Sequence, residues 1–236
     1  MFMHVLSVEG VRRLSLGVRG LDDVFPGFGL GDFVVLYGGA AASMSFTLSV
    51  RSQFPVARGG LACSCVFVDG GNMFSPYAVA ETARECGLDY RKVLGRVYVS
   101  RAFTAYQFSS LIMEGLCSVL KKTKARLLVV SDVASLFLDR DLSQTEAREL
   151  FTKVCFTLSE VAAKRQVIVV ATYFPEGRSR QGLFFEAVLF GKCSVLVRLR
   201  RKGKVLNFIL EKHPRVKSFD MDFTVGVASS AAVMEA

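Results

Sequence analysis

The sequence predicts an α/β domain with a mainly parallel central sheet, helices on both faces and an antiparallel hairpin at its carboxyl end. Apolar runs that are continuous rather than alternating, as parallel strands buried on both faces require, occur at residues 33–37, 62–68, 97–99, 126–132 and 166–172. Segments with apolar residues at helical spacing separate these runs. Repeated strand–helix units of this kind are typical of a parallel sheet.

The bulk properties fit one soluble domain. A chain of 236 residues can bury a large core, and we expect residues 1–224 to form one domain, with residues 1–16 as an N-terminal segment and residues 225–236 as a loosely held tail of small residues. No apolar run reaches the ~18 residues that span a bilayer. The N-terminus has no signal-peptide pattern, so the sequence predicts a cytoplasmic protein without membrane contact.

Charge and cysteine content narrow the possible partners. The net charge of +9 and the pI near 9.4 favour polyanionic partners such as nucleic acid. His4 and His213 are too few and too far apart in sequence for a zinc site, so no metal is expected. The six cysteines form no CxxC pair, and we interpret them as reduced and mostly buried.

The first half of the chain reads in order as follows. Residues 1–16 contain a short strand and a turn, and residues 16–32 a short helix and a glycine-rich turn that leads into the strand at 33–37. A glycine-led turn and a helix over about 45–53 follow. After the strand at 62–68 and the loop at 69–77, helices are predicted at 76–86 and within 101–122. Gly87 suits the end of the first of these helices.

The second half continues the alternation. Ser143 has the residue type and position of a helix N-cap, which predicts a helix from 143 to about 164. Residues 175–182 are polar and basic and predict a loop, and 184–190 a short helix. Alternating strands at 194–200 and 205–211 flank the turn Arg201-Lys202-Gly203-Lys204, which predicts a hairpin.

The turn after the first core strand occupies the place of a phosphate-binding loop. The pattern G-x-x-x-x-G-K-[ST] can be laid on residues 38–45, where Ser43 replaces the second glycine and Met44 replaces the lysine. Methionine brings no charge, and loss of a charge-assisted hydrogen bond of ~1.5–3 kcal/mol weakens binding tenfold or more. Gly38, Gly39 and the start of the helix retain some attraction for an anion.

The order and spacing of these segments resemble the ATPase core of the RecA/RadA recombinase family, most closely an archaeal RadA-like or RadB-like paralog. The resemblance covers residues 16–214 and is carried by residues 17–22 (GVRGLD), 69–76 (DGGNMFSP), 100–107 (SRAFTAYQ) and 197–203 (VRLRRKG). It implies a RecA-like P-loop NTPase core without the helical DNA-binding domain that precedes the core in full-length RadA.

The resemblance also implies that the family's catalytic positions are altered. Its P-loop lysine and hydroxyl residue match Met44 and Ser45, its catalytic glutamate matches Gly71, and its Walker B aspartate matches Ser131. Asp132, one residue later, is a possible remnant. A glycine cannot take a proton or orient a water molecule, so we expect no catalytic residue and no bound cofactor. ATP and Mg²⁺ stay open as ligands.

Nucleotide-side and DNA-side residues follow from the same resemblance. Arg101 and Gln107 match a family segment close to the nucleotide. The family's two DNA-binding loops match residues 139–145 and 175–192. Their candidate DNA-contacting residues, cations for phosphates and an aromatic ring for bases, are Arg140, Arg178, Arg180, Gln181, Phe184 and Lys192. An equally open alternative is that the phenylalanines belong to the core and the arginines are merely solvated.

The hairpin carries a second set of cations, which lies near a subunit interface in RadA-like proteins. They are Arg198, Arg200, Arg201, Lys202 and Lys204. DNA and an acidic protein surface suit them equally. Residues 54–57 have the F-x-x-A form of the family's polymerisation motif, but their place inside the core favours coincidence.

Three functions remain. The first is a catalytically silent recombinase paralog that binds single-stranded DNA, a recombinase partner or both, as a monomer or a homo-oligomer, and modulates homologous recombination or DNA repair. The second is a divergent DNA-dependent ATPase that uses Ser45, Asp69 and Asp132 with a cation from elsewhere. The third is a KaiC-like regulatory module.

Overall fold

The computed structural model describes residues 12–175 and 179–224. Its strands are β1 (Arg13–Leu14), β2 (Phe28–Gly29), β3 (Phe33–Tyr37), β4 (Cys65–Asp69), β5 (Val97–Arg101), β6 (Leu127–Ser131), β7 (Ile168–Tyr173), β8 (Val195–Lys202), β9 (Val205–Lys212) and β10 (Phe219–Thr224). Its helices are α1 (Leu21–Val24), α2 (Ala41–Arg51), α3 (Pro76–Glu85), α4 (Tyr90–Leu94), α5 (Ala105–Ser110), α6 (Leu116–Thr123), α7 (Gln144–Arg165) and α8 (Arg180–Lys192). The predicted tail at 225–236 and most of the N-terminal segment lie outside the described residues.

Eight strands form the main sheet in the order β10-β9-β8-β3-β7-β6-β4-β5. The strands from β8 to β5 are parallel, and β9 and β10 are antiparallel additions at one edge. Every residue of β4, β6 and β7 is buried, as strands covered on both faces must be. The predicted fold class is therefore confirmed.

Two apolar cores cover the two faces of this sheet. One joins α2, α3 and α4 to side chains such as Val34, Phe67 and Val129, and the other joins α5 to α8 to their strand neighbours Val35, Val66 and Val130. Alternate residues of one strand serve opposite cores because side chains alternate across a sheet. Most phenylalanines lie in these cores, whereas Phe103 and Phe156 are exposed.

Several predicted boundaries were wrong. Helix α2 begins at Ala41 instead of about residue 45, since a run of alanines favours helix over loop. Helix α8 begins at Arg180, inside the predicted loop, because the Oγ of Ser179 accepts a hydrogen bond from the N–H of Gly182 (3.0 Å). Helix α4 and strand β10 were not predicted.

Other expectations held. Ser143 caps α7 by accepting a hydrogen bond from the N–H of Glu146, and the C-terminal hairpin forms with strands that extend to Lys202 and begin again at Val205. Within the described part of the chain, no helix combines the length and apolar character needed to cross a membrane.

Candidate functional site

The turn between β3 and α2 is held by contacts within the chain. Gly38 has φ of 96°, and a Cβ atom built on it would collide with the carbonyl oxygen of Leu199 in β8. The same oxygen accepts a hydrogen bond from the N–H of Ala40 (3.4 Å), and the N–H of Ala41 donates to the carbonyl of Gly38 (3.0 Å). A phosphate-binding loop works because such N–H groups point at the ligand, whereas these two donate to backbone carbonyls.

The side chains at the start of α2 are likewise engaged locally. Met44 is buried, and its N–H donates to the carbonyl of Ala40 within the helix (3.0 Å). The Ser43 hydroxyl donates to the carbonyl of Ala40 (3.0 Å) and the buried Ser45 hydroxyl to that of Ala42 (2.7 Å). The hydroxyl protons of Ser43 and Ser45 are thus both bonded to carbonyl oxygens at the start of the same helix. No side chain caps α2.

Asp69 ends β4 as a fully buried carboxylate. It accepts hydrogen bonds from the N–H groups of Met73 (2.8 Å) and Phe74 (3.1 Å) and from Nε of Arg101 (3.0 Å). Nη2 of Arg101 lies 3.0 Å from the same carboxylate. These donors compensate the burial of the charge, so Asp69 organises the β4–α3 loop and orients Arg101.

The space beside Gly71 is filled by Asp132. A Cβ atom on Gly71 would lie 2.5 Å from Oδ2 and 2.6 Å from Cβ of Asp132. Asp132 has φ of 51°, and its N–H donates to Oγ1 of Thr172 in β7 (2.9 Å). Ser131 is buried at the end of β6, in register with Asp69. A longer side chain at residue 71 therefore requires Asp132 to move.

Arg101 and Gln107 lie together, as their assignment to one nucleotide-side segment implies. They line a cavity of about 630 Å³ with Phe103 and Glu114. Oε1 of Gln107 accepts a hydrogen bond from the N–H of Phe103 (2.9 Å), and the Phe103 ring is exposed. The cavity presents an exposed aromatic ring and an arginine already paired with Asp69.

One hairpin cation is used inside the protein. Nε of Arg198 lies 3.3 Å from Oε1 of Glu211, an ion pair without hydrogen-bond alignment at that nitrogen. The hydroxyl of Tyr37 donates to the same carboxylate (2.8 Å), and burial together with this bond raises the pKa of Tyr37 to about 12. No sequence pattern points to Tyr37 or Glu211, since their contact crosses from β3 to β9.

The other hairpin cations are exposed. Arg200, Arg201, Lys202 and Lys204 lie near the tip of the β8–β9 hairpin. Arg201 donates from Nε to the carbonyl of Gly203 (3.1 Å), which helps to shape the turn.

The predicted second DNA loop is mostly helix, which corrects the assignment of 175–192 as one loop. Arg180, Gln181 and Phe184 lie in the first turns of α8, whereas Lys192 ends this 13-residue helix. At 1.5 Å per residue, Lys192 lies about 18 Å from Arg180, so the two cannot contact one nucleotide together. Arg178 lies outside the described residues.

The phenylalanines of α8 are engaged with the protein. Phe185 is fully buried, and the guanidinium of Arg148 lies 4.9 Å from the centre of the Phe184 ring. The alternative that these rings serve the core is correct for Phe185. Phe54 of the F-x-x-A segment is buried as well, in agreement with coincidence.

The two candidate DNA-facing segments do meet. Nε2 of Gln181 donates to the carbonyl of Phe137, in the turn that leads to the loop of Arg140 (3.2 Å). Arg140 and Arg180 are both exposed at this junction. We call Arg140, Arg180 and Gln181 the loop junction.

Comparison with known protein families agrees with this architecture. The model of the Rad51 family matches residues 10–179, which is more than half of the chain and includes β3, the β3–α2 turn, β4, β6 and β7. The chain belongs to the Rad51 family.

Proposed function

We propose that this chain is a catalytically silent paralog of the archaeal RadA/RadB type that binds single-stranded DNA, a recombinase partner or both, and thereby modulates homologous recombination or repair. Membership of the Rad51 family supports a role connected with recombination. The absence of turnover rests on the residues of this chain.

The observation that carries the proposal is the early start of α2. Because the helix begins at Ala41, part of the segment that would wrap a phosphate is helical, and the N–H groups of Ala40 and Ala41 donate to carbonyl oxygens of the chain. Met44 offers no charge, and the Ser45 hydroxyl donates to Ala42. The residues present do not fit a bound Mg–nucleotide of the kind the family uses.

Two further positions support the same conclusion. Gly71 has no group that moves a proton, and Asp132 fills the space beside it. Asp69 accepts bonds from Met73, Phe74 and Arg101, so its carboxylate is held in the loop that it organises. Loss of function at separate positions is the simplest account of this pattern.

DNA contact is proposed at the loop junction and at the hairpin tip. The cations at both places are exposed and none of them belongs to an ion pair between described residues. Such cations bind phosphates through release of counterions, which makes binding depend on salt. The same surfaces suit an acidic patch on a recombinase.

ATP hydrolysis tests the silent assignment. We expect the purified protein to hydrolyse ATP no faster than a buffer blank, with or without single-stranded DNA. Hydrolysis that is stimulated by DNA and lost in Ser45→Ala or Asp132→Ala would contradict the proposal, because contaminating enzymes would be unaffected by these changes.

DNA binding is tested separately at the loop junction. In Arg140→Ala with Arg180→Ala, the slope of log K for single-stranded DNA against log salt should fall by one to two units. The matched control, Lys92→Ala with Lys217→Ala, removes two exposed charges elsewhere and should leave the slope unchanged. Equal losses in both variants would indicate general charge attraction instead of a site.

A divergent nucleotide-binding protein is the second candidate. The start of α2 without a side-chain cap and the cavity shared by Arg101 and Gln107 favour it. Binding of a fluorescent ATP analogue to the native protein, with release by excess ATP, would support this function. If Gln107→Ala kept that binding, the nucleotide site would lie elsewhere than at this cavity.

A further inference from the structure

A basic pocket lies at the opposite end of the sheet from the loop junction and the β3–α2 turn. It forms where the carboxyl ends of α6 and α7 meet the residues that lead into β6 and β7, and it has a volume of about 370 Å³. We call it the amino-end pocket. The cations that line it are Lys121, Lys124, Arg126 and Arg165. All four are exposed. The five-residue strand β6 places it roughly 15 Å from the carboxyl ends of the strands.

The positive charge of this pocket is larger than the charge needed to compensate the two helix ends beside it. Each helix end contributes the equivalent of about half a negative charge, so α6 and α7 together call for about one compensating cation. Four cations line the pocket, and no carboxylate among the described residues does. The three ion pairs between described residues involve none of the four.

The backbone at the pocket gives an independent observation. Lys124 ends α6 with φ of 53°, a conformation that glycine adopts easily and a side chain disfavours. This helix end places Lys124 among the residues that line the pocket. Nη1 of Arg126 donates to the carbonyl of Gln166, the residue that ends α7, and this bond ties the guanidinium to that helix end (3.3 Å).

We propose that the amino-end pocket binds the phosphate groups of duplex nucleic acid. No aromatic side chain lines the pocket among the described residues, so it offers charge without a surface for base stacking. Contacts confined to phosphates suit a duplex, whose bases are stacked inside and whose phosphates are regularly spaced. This site is additional to the proposed function, which places single-stranded DNA at the other end of the sheet.

Binding of a short labelled duplex over a salt series tests the proposal. We expect Lys121→Ala with Arg165→Ala to reduce the salt slope by about two units, as loss of two phosphate contacts requires. The charge-retaining variant Lys121→Arg with Arg165→Lys should bind like the native protein. Lys92→Ala with Lys217→Ala, which removes the same charge elsewhere, should also keep the native slope.

A thiol inside the pocket gives a second measurement on the unaltered protein. Of the six cysteines, all within the described residues, only Cys117 is exposed, and it lines the pocket. A bound duplex should slow the reaction of Cys117 with a maleimide several-fold at low salt. This protection should vanish in Lys121→Ala with Arg165→Ala, which we call the pocket variant.

Each remaining outcome overturns the proposal. Equal loss of duplex binding in the pocket and control variants means that net charge alone acts. Native duplex binding in Lys121→Ala with Arg165→Ala means that the pocket does not hold nucleic acid. Because single-stranded DNA binding is measured with the loop-junction variants, failure here leaves the proposed function standing.

Discussion

The two ends of the parallel sheet differ in what their polar groups do. At the carboxyl ends of the strands, the carboxylate of Asp69, the hydroxyl of Ser45 and the N–H groups of Ala40 and Ala41 bond to partners within the chain. At the amino ends, the four cations of the amino-end pocket belong to no ion pair between described residues. The polar groups around the β3–α2 turn thus have partners within the chain, whereas the charges of the amino-end pocket have no opposite charge beside them among the described residues.

The difference shows that a fold does not fix where a chain binds its ligands. In open parallel sheets ligands commonly bind at the carboxyl ends of the strands, and the Rad51 fold supplies a turn there. In this chain the β3–α2 turn at that end is closed by contacts within the protein, while four cations line a pocket at the opposite end. Changes at the β3–α2 turn should therefore affect stability, and changes at the amino-end pocket should affect duplex binding.

The largest effect is expected at the β3–α2 turn. Gly38→Ala places a methyl group against the carbonyl of Leu199 and forces an alanine to adopt φ of 96°. The conformational strain and the collision together should lower the free energy of unfolding by about 2–4 kcal/mol. Urea denaturation followed by circular dichroism measures this loss.

Gly39→Ala is the matched control for that variant. Apart from its two chain neighbours, no described residue comes within 4 Å of a Cβ built on Gly39, so the stability of Gly39→Ala should stay within about 0.5 kcal/mol of that of the native protein. If Gly38→Ala were as mild as Gly39→Ala, the turn would be loose enough to open around a phosphate, and the contrast between the two ends of the sheet would break.

A smaller effect is expected where Asp132 covers Gly71. Gly71→Ala should cost about 1–3 kcal/mol, because its Cβ would lie 2.6 Å from Cβ of Asp132. In an Asp132→Gly background the same change should cost much less. The coupling, read from urea unfolding of both single variants and the double variant, should lie between about 0.5 and 3 kcal/mol.

Additive costs would contradict this contact. They would mean that Asp132 does not limit the side chain at residue 71.

The smallest effect concerns the amino end and has the opposite sign. Lys124→Gly should raise the free energy of unfolding by about 0.5–1 kcal/mol, because glycine adopts φ of 53° without strain. It should also weaken duplex binding by removing a phosphate contact. Lys124→Ala loses the charge but keeps the strain, so it should weaken binding without stabilising the protein. A stabilised Lys124→Gly with native duplex binding would remove Lys124 from the pocket.

The sequence predicts the fold well because burial on two faces leaves a direct mark in it. The residues of β3, β6 and β7 are continuous apolar runs, and each appeared close to its predicted place. β10 was not predicted because phenylalanine and methionine alternate in it with aspartate, a pattern that also fits an exposed segment. Its pairing with β9 is visible only in the folded sheet. The predicted start of α2 was too late because the pattern of a phosphate-binding loop extends to residue 45, whereas the three alanines that precede Ser43 favour a helix from Ala41.

The sites were harder to predict than the fold. Met44, Gly71 and Ser131 can be read directly from the sequence, but the contact of Asp132 with Gly71 depends on two strand ends that meet only in the folded sheet. The amino-end pocket combines Lys121 and Arg165, which lie on separate helices. The prediction of residues 175–192 as one DNA loop was wrong because Ser179 caps α8, so most of this segment is helical.

The position of β3 in the sheet has a consequence for the order in which the chain folds. Both strands that flank β3 come late in the sequence: Phe33 is in register with Val169, and its N–H donates to Oγ of Ser194, 161 residues further on. A nascent chain that has reached only α7 therefore holds β3 without either of its neighbours. Because closing such long loops precedes any gain from pairing, we expect folding to be slow and to finish only after β8 has left the ribosome.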